Sequence, residues 1–165
     1  MRLKLTATAG KNMTKVLVFG TFDGLNAGHV SFLERARRFA DELFVLIVED
    51  RFVIKYKGKS PVWSFKMRMG AVSRLPFKPK VYAEDIGENW KILKTIKPDV
   101  IVLSAEQATW RHSLDDLLEE YNLPTRVEVL PEMELGSDAT SLSCANLPKP
   151  RRSECNIALF STWRK

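Results

Sequence analysis

Lys15-Val16-Leu17-Val18-Phe19-Gly20-Thr21-Phe22-Asp23-Gly24-Leu25-Asn26-Ala27-Gly28-His29 passes from an apolar, β-branched run into a glycine-rich turn. The run has strand composition. Beyond the turn, apolar residues fall at Val30, Phe32, Leu33, Ala36, Phe39 and Ala40, the period of a helix, with Glu34, Arg35, Arg37 and Arg38 outward. A strand, a tight turn and a helix in succession make a phosphate-binding arrangement. Gly20 lets the chain leave the strand tightly, and Gly28 lets backbone approach a ligand. The helix N-terminus offers free N–H groups and a positive dipole. His29, on the first helical turn, is a donor placed where an oxyanion would lie. A glycine-rich βα turn with a surface histidine is the plain alternative, and spacing alone leaves both open.

The pattern continues outward. Leu43–Val48 is a continuous apolar run, as expected of a strand buried on both faces. Phe65, Met69 and Val72 predict a second helix, and Lys80–Ala83 a weak strand. Trp90, Leu93 and Ile96 predict a third helix, closed by Pro98, and Val100–Leu103 another apolar strand. Leu114, Leu117, Leu118 and Tyr121 follow helical spacing, and Arg126–Leu130 is a last strand. This alternation predicts an α/β fold with a mostly parallel sheet. Such sheets bind ligands at the carboxyl ends of their strands, where strand order reverses.

At 165 residues, 45% apolar and 28% charged, the chain has the size and composition of one ordinary domain. Its apolar runs are far short of the roughly 18–20 residues a membrane helix needs. Cys144 and Cys155 are too few for a disulfide scaffold, and the basic start lacks the apolar core of a secretory signal. A cytoplasmic protein is the expectation. The net charge of +6 sits at the ends: residues 1–15 carry +4, residues 143–165 carry +4, and the body between carries −2. The expected organisation is a basic extension over 1–14, a domain over 15–147 and a basic, flexible tail over 148–165. Basic tails of this kind are usually solvated, so nucleic acid is the less favoured partner.

Residues 51–80 hold nine Lys/Arg and no acid. Arg74, Lys78 and Lys80 read as a solvated face. Gly58-Lys59-Ser60 mimics the end of a P-loop, but Val53 stands where its first glycine is required. Two histidines, His29 and His112, and two distant cysteines give no zinc spacing, so no protein-built metal site is expected. Trp63, Trp90 and Trp110 are candidates for stacking on a ring, though core or rim positions are their commoner use.

The G-T-F-D turn followed by x-x-H-x-G-H spacing resembles the signature of the cytidylyltransferase-like nucleotidyltransferases. The resemblance extends over roughly residues 15–142. It implies a Rossmann-like, five-stranded parallel sheet with flanking helices. Asp50–Pro61, Arg68 and Ile96–Leu103 resemble most closely the archaeal-type FMN adenylyltransferases, or FAD synthases. Glycerol-3-phosphate cytidylyltransferases share the outline less closely. The resemblance implies nucleotide contacts from Gly20, Thr21, Phe22, Asp23, Gly28 and His29, and from Ser104, Glu106, Gln107 and Thr140. Lys55, Lys57 and Arg68 match positions that meet phosphates, and a homodimer is implied. Three departures stand out. Asn26 replaces the first histidine, Ser104-Ala105-Glu106-Gln107 replaces a Gly-Tyr-Asp-Gln-like element, and Asp138–Leu142 keeps only Thr140 of a Ser-Ser-Thr-x-Ile segment.

The implied reaction is nucleotidyl transfer: an acceptor phosphate attacks the α-phosphorus of an NTP and expels pyrophosphate. His29 and Asn26 would donate to phosphates, Lys55 and Lys57 would clamp them, Arg68 would meet the acceptor phosphate, and Mg²⁺ would bridge oxygens. ATP with FMN is the first expectation, and CTP with a small alcohol phosphate the second. A nucleotide-binding homologue without turnover is the rival from another class, and an RNA-binding module using the basic ends is the third.

Overall fold

The computed structural model describes residues 12–84 and 90–132. Five strands, β1 (Lys15–Gly20), β2 (Glu42–Val48), β3 (Lys80–Glu84), β4 (Val100–Leu103) and β5 (Arg126–Val129), form one sheet in the order β3-β2-β1-β4-β5. All four pairings are parallel. The expected α/β fold with a parallel five-stranded sheet is therefore present. Strand order reverses at β1, whose neighbours are β2 on one side and β4 on the other.

Alternation along the central strands divides the core in two. Val16, Val18, Val45, Ile47, Val100 and Val102 face one side with Val30 and Leu33 of α1 (Ala27–Ala36). Ala71 and Val72 of a helix over Phe65–Ser73 join them there. Leu17, Phe19, Phe44, Leu46, Ile101 and Leu103 face the other side. Val53 of α2 (Asp50–Lys57) lies there, and α3 is the Phe65–Ser73 helix just named. Leu93 of α4 (Lys91–Ile96) and Leu114 of α5 (Arg111–Glu120) complete this layer. Both faces are covered, which is why β1, β2 and β4 read as unbroken apolar runs rather than as alternation.

Two differences from the sequence expectation bear on the site. α1 begins at Ala27, three residues before its apolar period, because Asn26 caps it. α2 is an element that periodicity does not announce. Val53 is its one buried residue, and its last turn ends at Gly58, whose φ of +69° makes the left-handed helix stop.

Candidate active site

Every strand end near the reversal opens into one cavity of about 780 Å³. Phe19 and Gly20 supply its floor from β1, and Thr21–Asp23, Asn26, Gly28 and His29 line it from the turn and α1. Phe52, Tyr56 and Lys57 come from α2, and Lys59 and Ser60 from the following loop. Ser104, Glu106, Gln107 and Trp110 follow β4, while Leu130, Pro131 and Glu132 follow β5. This is the carboxyl end of the sheet at its switch point, where open α/β sheets take ligands.

The turn is built around two residues. Phe22 adopts a φ of +50°, a conformation that costs a side-chain-bearing residue free energy, and its buried ring (4% exposed) offsets that cost. The ring lies so close to Gly20 that a Cβ there would fall 2.9 Å from Phe22 Cε2. A side chain at Gly20 would therefore force the Phe22 ring to shift. At Gly28 a Cβ would stand 3.2 Å from Asn26 Oδ1 and crowd the helix cap.

That cap sets the histidine. The His29 backbone N–H donates to Asn26 Oδ1 at 3.1 Å, and the Asn26 backbone N–H donates to His29 Nδ1 at 3.3 Å. His29 thus plays the part that Glu or Gln plays in an ordinary capping box. Because Nδ1 accepts, the neutral ring carries its proton on Nε2 and keeps one donor for a ligand. Asn26→Ala should cost about 1 kcal/mol of stability through loss of the cap. A chemical denaturation midpoint unchanged by the substitution would show that Asn26 does not fix this helix start.

His29 is held below its usual pKa of 6.5, chiefly because burial disfavours the imidazolium and next because the Lys57 ammonium repels it. Asp23 and Glu106 pull in the other direction. The unfolded chain takes up this proton more readily than the folded one. Neutral His29 therefore contributes stability that is complete above about pH 6.5 and is lost as pH falls through its folded value. His29→Gln should flatten the fall of stability as pH drops below about 6.5. Parallel wild-type and variant curves would contradict that burial.

Asp23 lines the cavity with its carboxylate engaged. Its two oxygens accept the backbone N–H groups of Val62 and Trp63, each at 2.8 Å, tying the turn to the loop before α3. Gln107 performs a similar task across the strand reversal. Its Nε2 donates to the Phe19 carbonyl at 2.9 Å, and its Oε1 accepts the Ser104 N–H at 3.1 Å.

Two sequence expectations need correction. Arg68 does not reach the cavity: it is fully buried, and its guanidinium donates to the carbonyls of Thr21, Val48 and Trp63 and to the Asp50 carboxylate. A cation with those four partners ties together the turn, the end of β2, the start of α2 and the loop before α3. Lys55 is exposed and outside the cavity lining, with its ammonium 5.5 Å from the Tyr56 ring centroid. Lys57 and Lys59 are the lining lysines. Thr140 lies outside the described residues.

Trp110, a stacking candidate in the sequence, stands in a cluster whose other two rings, Phe52 and Tyr56, the sequence reading passed over. Phe52 and Tyr56 stand 4.2 Å apart, and each lies 5.5 Å from Trp110. Their i, i+4 spacing on one helix was the signal for the first pair. Trp90 packs edge-on against Phe19 at 4.9 Å, and Trp63 packs against the core.

Among the described residues, no three His, Cys, Asp or Glu side chains converge to hold a metal. With Asp23 committed to backbone, Glu106 and Glu132 are the remaining lining carboxylates. Such a donor set fits Mg²⁺ that arrives on nucleotide phosphates and retains several waters. No helix among the described residues is long and apolar enough to cross a membrane.

Comparison with known proteins gives a consistent result. The family model for cytidylyltransferase-like proteins matches residues 17–143. The FAD synthase of Methanohalophilus mahii is 36% identical over 115 residues, covering 70% of this chain and 80% of that protein. The FAD synthase of Pyrococcus abyssi is 33% identical over 124 residues, covering 74% of this chain and 84% of the relative. Among solved structures, the lipopolysaccharide core biosynthesis protein of Thermoplasma volcanium shares the fold with a TM-score of 0.68 at 24% identity. The match covers 74% of this chain and 99% of that one.

Proposed function

The chain belongs to the cytidylyltransferase-like family, and from that premise we propose that it adenylylates FMN with ATP to give FAD and pyrophosphate. The observation that carries the reading is the capped turn. It holds a neutral His29 with a free Nε2–H at a helix N-terminus inside the cavity. The likeness to proteins named FAD synthase supplies the substrate pair.

In this reading an FMN phosphate oxygen attacks the ATP α-phosphorus. One P–O bond forms, the bond to the β-bridging oxygen breaks, and pyrophosphate leaves with the electron pair. The acceptor phosphate is already ionised at neutral pH, so no protein base is required. The His29 Nε2–H and the α1 dipole stabilise charge developing on the phosphates. Lys57 and Lys59 neutralise the acceptor phosphate and the leaving group. The side chains of Asn26, Asp23, Gln107 and Arg68 hold the turn and strand ends in place, so catalysis is positioning and charge stabilisation. Mg²⁺, used generally by such transferases, would be carried by the nucleotide phosphates with Glu106 within the same cavity, supplying charge neutralisation.

A panel of four NTPs against FMN, glycerol 3-phosphate, phosphocholine, phosphoethanolamine and phosphopantetheine tests the assignment. The expected result is pyrophosphate release with ATP and FMN above all other pairs. Preference for CTP with an alcohol phosphate would overturn the substrate pair. Nucleotide binding without pyrophosphate release from any pair would make the chain a binder. The same reading takes 15–147 as the working domain and a homodimer as the assembly. Deleting residues 1–12 and 148–165 should leave kcat within about twofold, a change well under 1 kcal/mol. Loss of ATP binding in that truncation would place the ends in the site.

A further inference from the structure

We propose that Gln107 is a positioning residue that holds the crevice open. Its side-chain carboxamide is spliced into the hydrogen-bond ladder between β1 and β4 and sets the distance between the two walls of the cavity. The kinetic part of its test rests on the nucleotidyl-transfer reading above; the geometry stands without it.

The ladder shows where the splice lies. β1 pairs with β2 over its six residues, from Lys15↔Glu42 to Gly20↔Ile47, and β4 pairs with β5 over its full length. Between β1 and β4 only Val16↔Val100 and Leu17↔Ile101 are paired. Carried forward, this register sets Gly20 opposite Ser104, and the next β1 carbonyl facing β4 is that of Phe19. In a parallel ladder its partner is the Ser104 N–H. The Gln107 amide occupies that rung: the Ser104 N–H donates to Oε1 at 3.1 Å, and Nε2 donates to the Phe19 carbonyl at 2.9 Å. A carboxamide has the donor and the acceptor of a peptide group, so it relays the rung as a backbone strand does. It also separates the chains as an added strand does, by about 4.8 Å.

This gap is the crevice itself. Phe19 and Gly20 line the cavity from one side and lead into the turn that carries His29, while Ser104, Glu106 and Trp110 line it from the other. The width of the gap therefore fixes how far His29 stands from the groups that follow β4. A capping role explains half of the geometry. Gln107 is the third residue of the 3-10 helix Ala105–Trp110, and accepting the Ser104 N–H is what Gln or Glu does in a capping box. Capping does not call for the bond to Phe19, which lies 88 positions earlier on another element. That bond needs a donor, which Gln has and ionised Glu lacks.

Gln107→Glu separates the two roles, since it keeps the cap and loses the donor. Gln107→Met keeps the length and loses both. Pyrophosphate release with ATP and FMN is measured for each variant as a ratio to wild type, which cancels the titration of His29. At about pH 8, Gln107→Glu should lose about 10²-fold in kcat, the effect of misplacing reacting groups by about 1 Å. KM for ATP should stay within about threefold, and the thermal midpoint within about 5 °C of wild type. Toward about pH 5.5 the ratio should recover at least about fivefold, because a protonated carboxyl, with a usual pKa of about 4.3, donates to Phe19 as the amide does. Gln107→Met should lose kcat to a similar extent, with a ratio that does not change with pH.

A second measurement needs no turnover. In isotope-labelled wild type, one Gln107 side-chain amide proton should exchange with solvent roughly tenfold more slowly than those of exposed Asn and Gln side chains. Its resonance is identified by its loss in Gln107→Met. Wild-type kcat in Gln107→Glu at about pH 8 would reduce the residue to a cap and overturn the proposal. A Gln107→Glu ratio that stays flat with pH would assign the loss to something other than the missing donor, with the same consequence. If wild type releases no pyrophosphate from ATP and FMN, the reading beneath falls. Slow exchange of the Gln107 amide then upholds the splice by itself, and fast exchange overturns it.

Discussion

His29→Ala is expected to lower kcat by about 10²–10³, the usual effect of removing one donor from a site where charge develops. The loss should appear in kcat rather than in KM, because in the proposed reaction the Nε2–H would donate to charge that grows as pyrophosphate departs. Folding should suffer far less. His29 Nδ1 accepts one backbone N–H at the start of α1, and its loss leaves the Asn26 cap in place. The expected destabilisation is at most about 1 kcal/mol. Steady-state kinetics with a parallel denaturation curve separates the two. A variant with near-wild-type kcat would remove His29 from the chemistry, and a variant that unfolds would make it a structural residue.

The second large effect belongs to Arg68. Arg68→Ala leaves the Asp50 carboxylate without its cation and strips the carbonyls of Thr21, Val48 and Trp63 of a shared donor. Breaking a buried pair from one side costs about 3–5 kcal/mol, a large share of the stability of a domain this size. A urea unfolding experiment should show the midpoint falling accordingly. Had Arg68 met the acceptor phosphate, as its sequence position suggests, stability would be nearly unchanged and KM for the acceptor would rise instead. Wild-type stability in Arg68→Ala would restore that assignment.

Arg68 also illustrates where sequence reading stops. The central strands were legible because burial on both faces leaves their composition no freedom. Val16, Val45 and Val102 pack on one layer while Leu17, Leu46 and Leu103 pack on the other. The turn was legible because Gly20, Gly28 and His29 stand directly between a strand and a helical period. Arg68 was legible only as a cation. A side chain spent on backbone carbonyls and one spent on phosphate have the same letter, and three of its four partners lie 18 or more residues away. α2 escaped because a short helix at a cavity rim needs little apolar surface: Val53 is its one fully buried residue, with Phe52 partly buried beside the core. Asn26 could have been read more fully. Asn directly before a helix is a strong N-cap residue, so its place in the motif combines capping with whatever it offers a phosphate.

The most direct test of the account follows the α-phosphorus itself. Purified protein is incubated with ATP labelled at the α-phosphate, FMN and Mg²⁺, and products are separated and counted. The account predicts label in FAD with one pyrophosphate released per FAD formed, and near-complete loss of that label in His29→Ala. Label remaining in ATP while both substrates bind, or label passing to the same acceptor at an equal rate in His29→Ala, would contradict it.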